Sequence, residues 1–78
     1  MEVRELVGKN LKKIREKSGI SQEDLAFDAG IHRTYISGVE RGVRNPTVTV
    51  LYKIAQALKV PTSRFFDGEE QIGRLAKK

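Results

Sequence analysis

SQEDLAFDAGIHRTYISGVERG, residues 21–42, reads as two short helices separated by one tight turn. Ser21 stands where an N-cap belongs: its hydroxyl can accept a backbone N–H of the opening turn, while Glu23 and Asp24 complement the positive helix end. Ile20 and Leu25 occupy hydrophobic-staple positions around that cap. Helical spacing carries Leu25, Ala26 and Ala29 along one face, and Gly30 follows as the residue that most readily takes the left-handed conformation ending a helix. The second helix, roughly His32 to Arg41, turns Ile36 and Val39 inward together with Ile31. Its other side keeps Arg33, Thr34, Ser37 and Arg41. Guanidinium and hydroxyl groups exposed in that register suit the DNA major groove, where they can reach base edges. The pattern is a helix-turn-helix.

The flanking sequence supports this unit on both sides. Val3, Leu6, Val7, Leu11 and Ile14 recur at three and four residues, predicting an amphipathic helix from Val3 to about Lys17 with Lys9, Lys12, Lys13 and Lys17 on its polar side. Gly8 inside it weakens helix propensity by about 1 kcal/mol against Ala and points to close packing. Ser18-Gly19 ends that helix. On the other side Gly42 closes the recognition helix, and Val43-Arg44-Asn45-Pro46 forms a loop. Thr47 is positioned to cap a fourth helix to about Leu58, with Val48, Leu51, Ile54, Ala55 and Leu58 facing the core. Pro61 permits a short fifth helix, Thr62 to Phe66. The expected fold is all-α, a compact five-helix domain over residues 1–67. Residues 68–78 are more polar and read as a tail or a short appended helix, with Ile72, Leu75 and Ala76 interrupted by Gly73.

Composition narrows the classes of function. The 78 residues make one small domain, and the absence of cysteine excludes disulfides, thiolate nucleophiles and cysteine-bound metals. No run is long and apolar enough for a membrane span, and the first ten residues lack the apolar core of a signal peptide, so the expected location is cytoplasmic. Fifteen Lys and Arg against ten Asp and Glu leave a formal charge of +5, a balance that favours a polyanion such as DNA. An enzyme is not expected. His32 is the only histidine, Thr34 and Ser37 lack the partners of a triad, and no second ligand accompanies His32 at a metal site. Without a glycine-rich phosphate loop no nucleotide cofactor is expected, and no small-molecule ligand is evident.

Gln22, Ala26, Gly30, Ile36 and Val39 match in type and spacing the signature of the lambda and 434 repressor and Cro-like helix-turn-helix family, the XRE family. LKKIREKSGISQEDLA, HRTYISGVERG, NPT and IAQALKV resemble family segments in family order, covering about Leu6 to Phe66. Among small members, RTYISGVER and the short length resemble the controller proteins of restriction-modification systems. The resemblance implies a lambda-repressor-like domain that regulates transcription and an ion pair between Arg15 and Glu40, against the alternative that both are solvated. It also implies a phosphate-anchoring role for Gln22 at the N-terminus of the second helix.

Within that frame Arg33 and Thr34, at the start of the recognition helix, are assigned to base reading. Ser37, one turn on, is a candidate for base or phosphate contact, and Gly38 lets the backbone come close. Tyr35, Arg41, Arg44 and Asn45 are assigned to the DNA backbone; the resemblance also allows Arg44 to reach bases. Structural alternatives stand beside these roles: Tyr35 as a half-buried packing residue, Arg41 neutralising a helix C-terminus, Asn45 shaping a turn. One helix reads only a few base pairs, so a homodimer on a pseudo-palindromic operator is expected. Its apolar interface candidates are Val60, Phe65 and Phe66, against the alternative that both phenylalanines are core. The rival functions are a protein-interaction module, such as an antitoxin, and a nonspecific architectural DNA binder.

Overall fold

The computed structural model describes residues 2–68, and all regular structure among them is helical. Four α-helices, α1 (Val3–Lys17), α2 (Gln22–Ala29), α3 (Arg33–Glu40) and α4 (Val48–Leu58), are followed by a 3-10 helix at Thr62–Phe66. The expected short fifth helix, Thr62 to Phe66, is a 3-10 turn over those residues. Arg64 N donates to Pro61 O at 3.0 Å, and five residues are too few to offset the cost of an α-helical nucleus. The suggested tail or appended helix falls, beyond Gly68, outside the described residues. No helix among the described residues is long and apolar enough to cross a membrane.

Local sequence sets the helix ends. Ser21 Oγ accepts the Asp24 N–H at 3.0 Å, and Thr47 Oγ1 accepts that of Val50 at 3.1 Å, satisfying donors that a helix start leaves open. Gly30 ends α2 at φ 72°, where its N–H and that of Ile31 return to Phe27 O and Ala26 O. That left-handed residue lets α3 begin three positions later.

Each element sends at least one fully enclosed side chain into a common core: Leu11 from α1, Leu25 from α2, Ile36 and Val39 from α3, Ile54 from α4 and Phe65 from the 3-10 turn. Phe65 is 0% exposed, which removes it from the candidate dimer interface. Its burial has a polar anchor. The amide Nδ2 of Asn10, buried on α1, donates to Phe65 O at 2.8 Å and to Asp67 O at 3.0 Å, tying the last turn to the first helix.

Two apolar residues expected on inward faces lie further out. Val48 is 84% exposed and Val3 45%, because each occupies the first position of its helix, where the neighbouring elements no longer cover it. Together with Val7, Leu51, Pro46 and Phe66 they border an open apolar groove.

α1 packs against α3 and the 3-10 turn, while α2 packs against α3 and α4. The α1–α3 crossing depends on Gly8. A Cβ there would overlap Val39 O and come within 2.8 Å of Glu40 O, both backbone atoms at the end of α3. Helix propensity alone would make Gly8→Ala stabilising by about 1 kcal/mol. The packing reverses the sign: urea denaturation of Gly8→Ala is expected to show a loss of about 1 to 3 kcal/mol, the range for forcing an extra methyl into a filled contact. A gain in stability would mean that the two helices separate freely.

Candidate nucleic-acid interface

The surface of interest is the outer side of α3 with the two segments beside it, the start of α2 and the loop after Gly42. Ile36 and Val39, each 0% exposed, clamp α3 onto the core and thereby fix which residues face outward. Arg33 and Thr34 are exposed in its first turn. Ser37 and Arg41 continue along the helix at i+4 and i+8 from Arg33, and the Arg41 guanidinium leans back toward Ser37, Nε to Oγ 3.4 Å. Arg33, Arg41 and Arg44 have no ion-pair partner among the described residues, so their charge is open to an external anion. His32 precedes α3 as its N-cap residue without a side-chain capping bond. No group of three or more His, Asp or Glu converges on a possible metal position among the described residues.

Tyr35 and Arg44 occur together. The Arg44 guanidinium carbon sits 5.1 Å from the centroid of the Tyr35 ring, a cation–π arrangement, and Tyr35 is half-buried. Asn45, next along the loop, is exposed.

Behind this surface a charged network connects three helices. Arg15 on α1 meets Glu40 at the end of α3 in a two-pronged pair, Nε to Oε2 2.6 Å and Nη2 to Oε1 3.1 Å. Its remaining Nη1 donates to Ile20 O at 2.8 Å, in the link between α1 and α2. Both side chains are enclosed, 11% exposed for Arg15 and 3% for Glu40. The hydrogen bond to Glu40 raises the Arg15 pKa above its ordinary value, outweighing the opposing effect of burial. Gln22 completes the network: its Nε2 donates to Glu40 Oε1 at 2.9 Å. An amide nitrogen carries two protons, and the first residue of α2 thus has one bound inward and a second left to donate. This link between Gln22 and Glu40 has no local signature, since the residues are 18 positions apart. Asn10 is the other polar residue whose role no spacing announces.

A buried pair of this kind adds little net stability when intact, but removing one partner strands the other charge. Arg15→Ala is expected to lower unfolding stability by about 3 to 5 kcal/mol. Lys13→Ala, on the solvated side of α1, should stay within about 0.5 kcal/mol of the native chain. Thermal melts of the two variants side by side make the comparison; equal small shifts would show that the pair has no structural weight.

Comparison with known proteins gives consistent matches. The family described as Helix-turn-helix matches residues 11–65. The HTH-type transcriptional regulator y4dJ of Sinorhizobium fredii, itself uncharacterised, is 47% identical over 60 residues, covering 77% of this chain and 78% of that protein. Control protein C.BamHI of Bacillus amyloliquefaciens is 46% identical over 66 residues, covering 83% of this chain and 82% of its own length. Among solved structures, the restriction-modification controller protein C.AhdI of Aeromonas hydrophila superposes with a TM-score of 0.79 at 40% identity, over 81% of this chain and 96% of that one.

Proposed function

The chain belongs to the helix-turn-helix family of lambda-repressor and Cro-like (XRE) type, and we propose that it is a transcriptional regulator that reads duplex DNA sequence-specifically as a homodimer. The observation that carries this reading is the outer face of α3, where Arg33 and Thr34 stand unburied in the first turn of a helix locked from behind by Ile36 and Val39. An arginine at that position can grip O6 and N7 of a guanine with two hydrogen bonds. Gln22, Tyr35, Arg41, Arg44 and Asn45 then hold the neighbouring phosphates, and Ser37 serves either surface of the groove. The similarity to C.BamHI and C.AhdI supports the narrower proposal of a restriction-modification controller.

Selection from a randomised duplex library at near-physiological salt tests this function. The native chain is expected to enrich an inverted repeat whose half-sites lie about 34 Å apart, one DNA turn. Arg33→Ala should lose about 1 to 3 kcal/mol and relax preference at one base position per half-site. Uniform weakening across all sequences would instead make Arg33 a phosphate contact. No enrichment by the folded native chain would shift the function to a protein-interaction module.

Dimerisation is proposed through α4 and the 3-10 turn. Val60 and Phe66 are half-buried there, and Val48 and Tyr52 are exposed by 84% and 56%. Because Val48 contributes nothing to the core, Val48→Glu should leave the monomer fold intact. It is expected to weaken self-association about tenfold or more by sedimentation velocity, since it places a charge in an apolar contact. Unchanged association would move the interface elsewhere.

A further inference from the structure

Gly38 lies in the middle of α3, where glycine disfavours the helix relative to alanine. Its backbone does not require glycine, for the positive-φ residues of the described chain are Gly19, Gly30, Gly42, Gly68 and Lys59. Space is what it supplies. A Cβ on Gly38 would overlap Arg44 Cγ and stand 3.4 Å from Cβ and 3.5 Å from Cδ of the same side chain. The aliphatic stem of Arg44 therefore lies directly on the bare Cα of Gly38, which explains why this glycine is buried on the outer side of α3.

The loop backbone is drawn to the same spot. Gly38 O accepts the N–H of Val43 at 3.0 Å and of Arg44 at 3.1 Å, so the chain leaving α3 folds back over it. From there the Arg44 guanidinium reaches the ring of Tyr35, one turn toward the N-terminus of α3, and stacks on it. A loop arginine that would otherwise sample many rotamers is thus laid along the helix that carries Arg33 and Thr34. Ordering a long side chain in advance removes that penalty from the binding step.

We propose that Gly38 is a positioning residue for DNA binding, whose missing side chain seats Arg44 against α3 and holds its guanidinium on Tyr35 before DNA arrives. The proposal rests on the DNA-reading function argued above and assigns Gly38 a role separate from close approach of its own backbone to DNA.

The first arm of the test needs no DNA. Nitrogen-15 relaxation of arginine Nε–Hε groups in the native chain is expected to find Arg44 markedly more ordered than Arg33, with the order lost in Gly38→Ala. An Arg44 as mobile as Arg33 in the native chain overturns the proposal, and this arm decides it even if Gly38→Ala folds poorly. The second arm measures affinity, by fluorescence anisotropy, for a duplex enriched by the native chain. Arg44→Ala should weaken binding about tenfold, the scale of one lost charged contact, and Gly38→Ala about five- to tenfold, the scale of the ordering penalty of one long side chain. In the Arg44→Ala background, Gly38→Ala should change affinity less than twofold. The same loss in both backgrounds would show that the glycine backbone itself meets the DNA, and native affinity in Gly38→Ala would show that the seat is irrelevant; either result refutes the positioning role. A native chain that enriches no duplex removes the DNA-reading function itself, whatever the relaxation arm finds for Arg44.

Discussion

The buried ion pair between Arg15 and Glu40 is the constraint on which the arrangement of the first three helices depends. Neither group can lose its partner without leaving a charge in the interior, and together they fix the end of α3 against α1 with two hydrogen bonds. The third prong of Arg15, to Ile20 O, holds the link into α2, and Gln22 joins from the first residue of α2. The three helices that carry or back the site are thus joined through one carboxylate and one guanidinium. Gly8 permits this closeness, since a side chain on α1 at that position would push α3 away by the backbone atoms of Val39 and Glu40.

Rigidity behind the surface matters because the outward face has few residues with which to discriminate. α3 spans eight residues, and Ile36, Gly38 and Val39 of these are buried. What is left to act on a ligand is a short row of arginines and hydroxyls, supplemented by Arg44 from the following loop. The chemistry of that row is positive charge with forked donors, the combination that meets phosphates through charge and guanine through geometry. Charge alone would give affinity without selectivity. In the proposed function, selectivity requires that the forks be held at fixed positions, the task assigned to Ile36, Val39 and the Arg15–Glu40 pair.

Much of this was legible in the sequence, for reasons that differ by element. Ser21, Gly30 and Thr47 mark helix ends through local chemistry, and the structure places α2 and α4 beside those caps. The inward face of α3 follows from the spacing of Ile36 and Val39. Val48 and Val3 show where periodicity misleads: a helical repeat reports a face, but not how far along the helix that face is covered. Thr62–Phe66 was readable as helical but not as 3-10, since proline and length permit both until tertiary contacts choose. The two adjacent phenylalanines could not be divided between core and surface by pattern; the Asn10 bonds to Phe65 O and Asp67 O fix the turn that sends Phe65 inward. The seating of Arg44 on Gly38 was illegible because it depends on the return path of a loop.

The proposed DNA-reading surface is the outer face of α3, with the start of α2 and the loop after Gly42. Titration of the nitrogen-15-labelled chain with its selected duplex, followed by amide chemical shifts, addresses that surface directly. The largest changes are expected at Gln22, at Arg33 to Ser37 and at Arg41 to Asn45, with smaller ones at Val48, Leu51 and Phe66 in the apolar groove. Changes centred on that groove, with α3 silent, would contradict the proposal.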